Sequence, residues 1–301
     1  MHNSASYVLL CCILLAAKDV ISANILRNSS VWVVVFWIYL FAMIVSWLLV
    51  KNKALLLRKI AHHAKEILSL NILCSISFLG FMIALKYIEP SIVDAMSLAL
   101  GPLVVHSFTG CFSVRSLTYS FGLVAAMAWL IYISAAGYSS LGEISAMNLA
   151  FGCVGVIGAA FGLNVHNIQI KKMQEIGWKN DEIVASRYFL LCFGSGIAMY
   201  LNTGFSVACT KNELFSFFIL ALLGNIIPLM LIVRAVQAGG PALVAYLMPI
   251  KMILTFLFEK FDKRHEFSLA SFASVAFVFV FIVSGTLLSA KRQQMLTEKS
   301  A

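Results

Sequence analysis

Apolar residues fall into long blocks separated by short polar stretches, and these blocks set the predicted architecture. A bilayer-spanning helix needs roughly 17–25 mostly apolar residues. Ten blocks meet that length, at 6–25, 31–50, 67–86, 91–111, 117–136, 149–168, 183–204, 214–233, 242–258 and 267–289. They predict ten transmembrane helices in an all-α integral membrane protein. Most connections are short, which makes consecutive helices antiparallel neighbours, and none is long enough for a separate soluble domain.

Two stretches share a pattern. Residues 84–105, ALKYIEPSIVDAMSLALGPLVV, turn at Pro90 and carry Pro102 in the following apolar run. Residues 235–259, AVQAGGPALVAYLMPIKMILTFLFE, are expected to turn at Pro241 and carry Pro249 in the same way. The proline spacing is twelve residues in one and eight in the other, an offset of about one helical turn. Two such hairpins, one in each half, suggest a duplicated unit. Five spans per half is an odd number, so the second copy must insert upside down, giving two inverted five-helix repeats. The expected division is a first repeat over 1–140, a second over 141–290 and a cytoplasmic tail over 291–301.

Composition strengthens the membrane reading. The chain is 61% hydrophobic and 12% charged, with mean hydropathy +0.93, whereas a soluble domain is about 45–50% apolar and about 25% charged. Residues 7–17 have the length of a signal-peptide core, but no Lys or Arg precedes them and Lys18 and Asp19 follow. The first block is therefore expected to be a retained helix. The net charge of +9 is unevenly distributed. Thirteen Lys and Arg fall in the tail and in the connections that a cytoplasmic N-terminus puts inside, against six outside, with Lys260, Lys263 and Arg264 the main dissenters. This bias places both termini in the cytoplasm and makes the basic excess a topology signal and a contact for anionic headgroups, not a nucleic-acid footprint. The seven cysteines are scattered, with no CxxC pair and no zinc spacing, so no metal is expected.

Ionisable groups inside spans cost about 2.5–3.5 kcal/mol each on insertion scales and are site candidates for that reason. Lys18 and Asp19 lie mid-span in the first block; as neighbours they point about 100° apart, and are read as substrate or coupling groups or as a structural ion pair. Asp94, four residues after Pro90, is read as a proton-titrating carboxylate or as a residue of the outer interface. Lys251 follows Pro249 with apolar sequence on both sides and is a candidate partner for a substrate carboxylate. His106 and His166 are candidate proton carriers or polar bundle contacts. Arg187 sits near a span end, where a long side chain is expected to snorkel to headgroups. The embedded set of Lys18, Asp19, Asp94, Arg187 and Lys251 carries one net positive charge, a pointer to a substrate with an anionic group. Pro102, Pro228 and Pro249 free backbone carbonyls and are candidates for helix breaks and gating. The glycines of 152–162 suit close helix packing.

The phrase ALKYIEPSIVDAMSLALGP resembles the third-to-fourth helix junction of the drug/metabolite transporter superfamily, in its ten-helix EamA-like branch. GGPALVAYLMPIKMILTFLFEK resembles the corresponding eighth-to-ninth junction, with Glu259 at the glutamate that follows the ninth helix. GLNVHNIQIKKMQEIGW, residues 162–178, resembles the sixth helix running into a basic loop, and Arg187 falls where the family often has an arginine. Span one lacks the usual Trp-Gly, span two has no arginine, and the first hairpin ends in SVRSL without a glutamate. The resemblance implies a secondary transporter of a bacterial cytoplasmic membrane, monomeric or homodimeric. It would export or exchange a small metabolite or drug by alternating access without ATP, often with protons as the coupling ion. A non-transporting receptor or lipid-handling protein is the alternative. No GxSxG, HExxH, aspartate-rich or P-loop motif is present, so neither enzyme activity nor a cofactor is expected.

Overall fold

A computed structural model describes residues 2–109, 114–203, 209–262 and 268–300, with side chains over 4–102, 104, 121–202, 209–239, 243–244, 246–262 and 268–285. The described residues are almost entirely helical, and no strand occurs among them, so the fold is all-α. The helices are α1 (His2–Asn28), α2 (Val31–Leu49), α3 (Lys53–His62), α4 (Ala64–Tyr87), α5 (Pro90–Thr109), α6 (Val114–Ala135) and α7 (Ala146–Glu175). They continue as α8 (Asn180–Ser186), α9 (Phe189–Thr203), α10 (Lys211–Ala221), α11 (Ile227–Leu247), α12 (Ile250–Glu259) and α13 (Leu269–Ser300), with a π-turn over Leu222–Ile226.

Among the described residues, six stretches are long and apolar enough to cross a membrane: Ser4–Asn28, Val31–Leu49, Ala64–Tyr87, Ala146–Glu175, Asn180–Asn202 and Lys211–Gly239. Large apolar side chains stand on their outer faces; Phe193, Leu201 and Phe215 are 70%, 75% and 65% exposed. Water would not tolerate that surface and lipid does. The protein is an integral membrane protein.

The chain divides into two compact units. The first comprises residues 1–20, 87–150 and 227–301, and in it α5 packs on α12, α6 and α13, and α13 also on α6, α11 and α12. Pro90 opens α5, a position where the missing N–H costs nothing. The backbone N–H of Ser91, another orphan donor of that first turn, is taken by Glu259 Oε1 of α12 at 2.6 Å. Trp129 Nε1 of α6 donates to Ser274 Oγ of α13 at 3.0 Å.

The second unit comprises residues 21–86 and 151–226, where α2 packs on α8, α9 and α10. Its α4 and α7 meet through backbone. A Cβ built on Gly80 would stand 2.7 Å from Gly155 O, one on Gly155 2.6 Å from Gly80 O, and one on Gly162 2.7 Å from Ser77 N. Contact this close is available only to glycine. The end of α7 is closed by Gly177 at φ +87, with Trp178 N donating to Met173 O at 3.1 Å, a Schellman cap. That cap seats Trp178 in a core of Leu56, Ile67, Leu70, Met173 and Ile183. Thr210 and Glu213 exchange hydrogen bonds at the start of α10, a capping box.

Three local features differ from the sequence expectation. Block 183–204 is interrupted at Arg187–Tyr188, between α8 and α9. The interruption is held by Asn71 of α4, whose Nδ2 donates to Ser186 O at 2.7 Å and whose Oδ1 accepts from Leu190 N at 3.1 Å. One amide thus satisfies a terminal carbonyl and a terminal N–H, which makes the break tolerable at membrane depth. Secondly, α11 runs through Gly239, Gly240 and Pro241, where a turn was expected, and the chain breaks at Met248–Pro249 instead. Gly239 lies so close to Ser4 of α1 that a Cβ would stand 2.9 Å from its Cβ, and this packing favours a straight passage. Thirdly, the π-turn Leu222–Ile226 precedes Pro228. A proline ring collides with the carbonyl four residues back, and widening the helix there relieves the clash.

Candidate functional site

Inside the first unit, one face of α1 carries Val8 and Cys12, which pack with Ala235, Leu247 and Met248. The Cys12 thiol lies 3.9 Å from the carbonyl oxygens of Leu247 and of Met248, at the break before α12. Asp19, seven residues on from Cys12, falls on the same face. Restarting at Ile250 places Lys251 in the first turn of α12, and Thr255, four residues on, shares its face.

These placements bring four sequence-predicted residues together. Lys251 Nζ stands 2.6 Å from Asp19 Oδ2 and 2.6 Å from Asp94 Oδ1 of α5. Lys18 Nζ reaches back to Asp19 Oδ1 at 2.5 Å. Thr255 Oγ1, a residue the sequence reading did not single out, lies 2.6 Å from Asp94 Oδ2 and 2.9 Å from Lys251 O, and its one hydrogen is best used on the charged acceptor. Asp19 and Asp94 are 0% and 1% exposed and Lys18 is 8%. The cluster holds two ammonium groups and two carboxylates, so it is neutral as a whole. Each member carries the solvation cost of a buried ion, offset by a partner at contact distance. The arrangement accepts either sign of added charge: an anion competes with the carboxylates for Lys251, and a proton or ammonium group competes with Lys251 for the carboxylates.

The other candidates lie apart. His166 is 3% exposed in the second unit. The side chain of His106 lies outside the described residues. Pro102 is inside α5, Pro228 is the second residue of α11, and Pro249 is the N-cap of α12. Arg187 does not snorkel: it is 5% exposed. It donates to the Tyr188 hydroxyl and its guanidinium stands 4.7 Å and 5.6 Å from the ring centroids of Tyr188 and Phe78. Cation–π attraction and the break that sets Arg187 between two helices hold it inside. With Lys18, Asp19, Asp94 and Lys251 mutually neutral, the positive excess expected from the sequence falls on this one arginine.

A shallow cleft of about 370 Å³ in the second unit is lined by Lys65, Glu66, Ser69, Gln169, Lys172, Met173 and Ile176 and includes none of these candidates. Among the described residues no group of three or more His, Cys, Asp or Glu is arranged to hold a metal ion. No protein-family model matches the chain, and no curated protein matches it.

Proposed function

We propose that the protein is a secondary transporter with the EamA-like architecture of the drug/metabolite transporter superfamily. In this reading ten spans form two inverted repeats, over 1–140 and 141–290, in a bacterial cytoplasmic membrane with both termini in the cytoplasm. It moves a small metabolite, such as an amino acid or related compound, or a drug, by alternating access. The observation that carries the reading is the buried junction of Lys18, Asp19, Asp94, Lys251 and Thr255, drawn from α1, α5 and α12. Charged groups in an apolar bundle cost several kcal/mol to embed, and a replaceable hydrophobic contact would hold the helices at lower cost. Their use in binding explains why they are there. A site that offers an ammonium and two carboxylates also suits a substrate carrying both signs.

Two further features support the repeat. In the first unit α5 packs on α12 and α6 on α13, and in the second α2 packs on α9. These are spans four and nine, five and ten, and two and seven, the pairs that an internal two-fold relation would bring together. Both of the first unit's breaks near the cluster, at Ile88–Glu89 and Met248–Pro249, fall in the two hairpins whose sequences resemble each other.

The test compares metabolites in medium and cytosol of cells with and without the overexpressed protein, alongside Asp19→Asn and Lys251→Ala. A compound enriched in the medium by the wild-type chain and not by the variants is the expected result. Equal enrichment by the variants would keep transport and discard this site. No difference, with the protein correctly inserted and labelled uptake into proteoliposomes also absent, would sink the transport reading.

A further inference from the structure

A second buried group of carboxyls stands about one helical turn along α5 and α12 from the Asp94–Thr255 contact, where the sequence reading assigned no chemistry. Glu89 precedes Pro90 at the head of α5 and is 0% exposed; Glu259 ends α12 and is 2% exposed. Ser91 joins them. Its backbone N–H donates to Glu259 Oε1 at 2.6 Å and its hydroxyl donates to Glu89 Oε1 at 3.0 Å. Glu89 Oε2 accepts from Ser140 N at 2.9 Å and from Ser271 Oγ at 3.0 Å. Both carboxyls thus bond to the one residue, which holds them side by side.

The donors are unequal. Glu89 collects three hydrogen bonds, Glu259 Oε1 collects one, and Glu259 Oε2 is buried with no hydrogen-bond partner. Those donors are neutral serine groups. Two carboxylates in contact in a low-dielectric site cannot both stay ionised, and the one with fewer donors takes the hydrogen. The positive end of the α5 macrodipole favours one negative charge there, and three donors direct that charge to Glu89. Other ionisable groups lie on the packed elements. Asp94 of α5 and Lys251 of α12 hold each other, Lys260 and Glu143 are exposed, and Asp262 is partly exposed. Lys263, Arg264, His265 and Glu266 lie outside the described residues, as do the side chains of Arg115, Lys291 and Arg292.

We infer that Glu89 and Glu259 form a proton-binding site that holds one shared proton, carried on Glu259 Oε2 and donated to the Glu89 carboxylate. When α12 and the head of α5 separate, Ser91 N leaves Glu259, water reaches both carboxyls, and the proton is released. As a coupling site this rests on the transport reading; the occupancy of the pair by a proton does not.

Infrared spectroscopy of the full-length protein in lipid vesicles reads the site without any flux. The expected result at neutral pH is a carbonyl stretch of a protonated carboxyl group that shifts in heavy water. It is lost in Glu259→Gln, shifted to higher frequency in Glu89→Gln because the carboxyl then has no charged acceptor, and unchanged in Asp94→Asn. Absence of the band from the wild-type protein overturns the inference with no variant needed. Loss in Asp94→Asn assigns the proton to the Lys251 cluster and overturns it too. Loss in Glu259→Gln with an unmoved band in Glu89→Gln shows burial of a lone carboxyl and overturns the sharing. A melting curve on each variant separates these outcomes from misfolding.

Discussion

Lys251 is the residue on which the first unit's electrostatics turn, since it contacts both Asp19 and Asp94. Removing one partner of a buried pair leaves an uncompensated charge, and such changes cost about 3–5 kcal/mol. Lys251→Ala is therefore expected to lower the melting temperature of the purified protein by several degrees. Lys251→Met combined with Asp94→Asn removes one charge of each sign, leaves Lys18 paired with Asp19, and is expected to recover most of that loss. A double variant as unstable as the single one would show that Lys251 acts through packing, not charge. The candidates themselves were legible in the sequence, because an ionisable residue within an apolar block is conspicuous wherever it lies. Their partners were not. Lys251 and Asp94 are 157 residues apart, and no local pattern links them. Thr255 was missed because a threonine inside an apolar helix looks neutral until a carboxylate is found beside it. Arg187 was misread as a residue that snorkels because its distance from a span end was counted along the chain. Its real surroundings, the rings of Phe78 and Tyr188, come from another helix and from a break in its own.

At the scale of the element, the contrast between glycines is the sharpest lever. Gly80 and Gly155 touch backbone across α4 and α7, and a Cβ on Gly80 would meet both Gly155 O at 2.7 Å and Ala159 N at 2.9 Å. Backbone cannot rotate aside as a side chain can, so Gly80→Ala must push the two helices apart. Gly194, in the middle of α9, has nothing within 4 Å of an added Cβ, and alanine there gains about 0.5–1 kcal/mol of helix propensity. Thermal unfolding in detergent is expected to show Gly80→Ala clearly destabilised and Gly194→Ala unchanged or slightly stabilised. Equal effects at the two sites would contradict the close α4–α7 contact. The small residues of α7 were legible as a packing stripe, and their partner stretch on α4 was not. Helix breaks followed a similar division. Proline marks where a helix is weakened, and tertiary contacts choose which mark is used. Pro249 ends one helix and begins another, Pro241 is carried through, and Arg187–Tyr188 breaks with no proline because Asn71 stands ready to bond both loose ends.

At the scale of the whole molecule, the count of crossings follows from how the shorter apolar helices are used. Among the described residues six stretches are individually long and apolar enough to span, while ten blocks carry the sequence pattern. Reporter fusions separate the two. With a cytoplasmic N-terminus, ten crossings put position 115 in the cytoplasm and position 262 outside, whereas six crossings put them the other way round. The expected outcome is a cytoplasmic reporter at 115 and an external one at 262; the reverse would remove the inverted-repeat topology. Composition by itself determined that this is a helical membrane protein, because apolar block length and the scarcity of charge are properties of the chain that need no partner. It also supplied nearly every ionisable group of interest. Only the tertiary structure decided that each compact unit is assembled from both sequence halves, that Asp19, Asp94 and Lys251 share one junction, and that Glu259 meets Ser91 across 168 residues. Hydrophobic patterning is read over a turn or two of helix, whereas the pairing of buried charges is fixed by which helices pack, and many packings share one pattern.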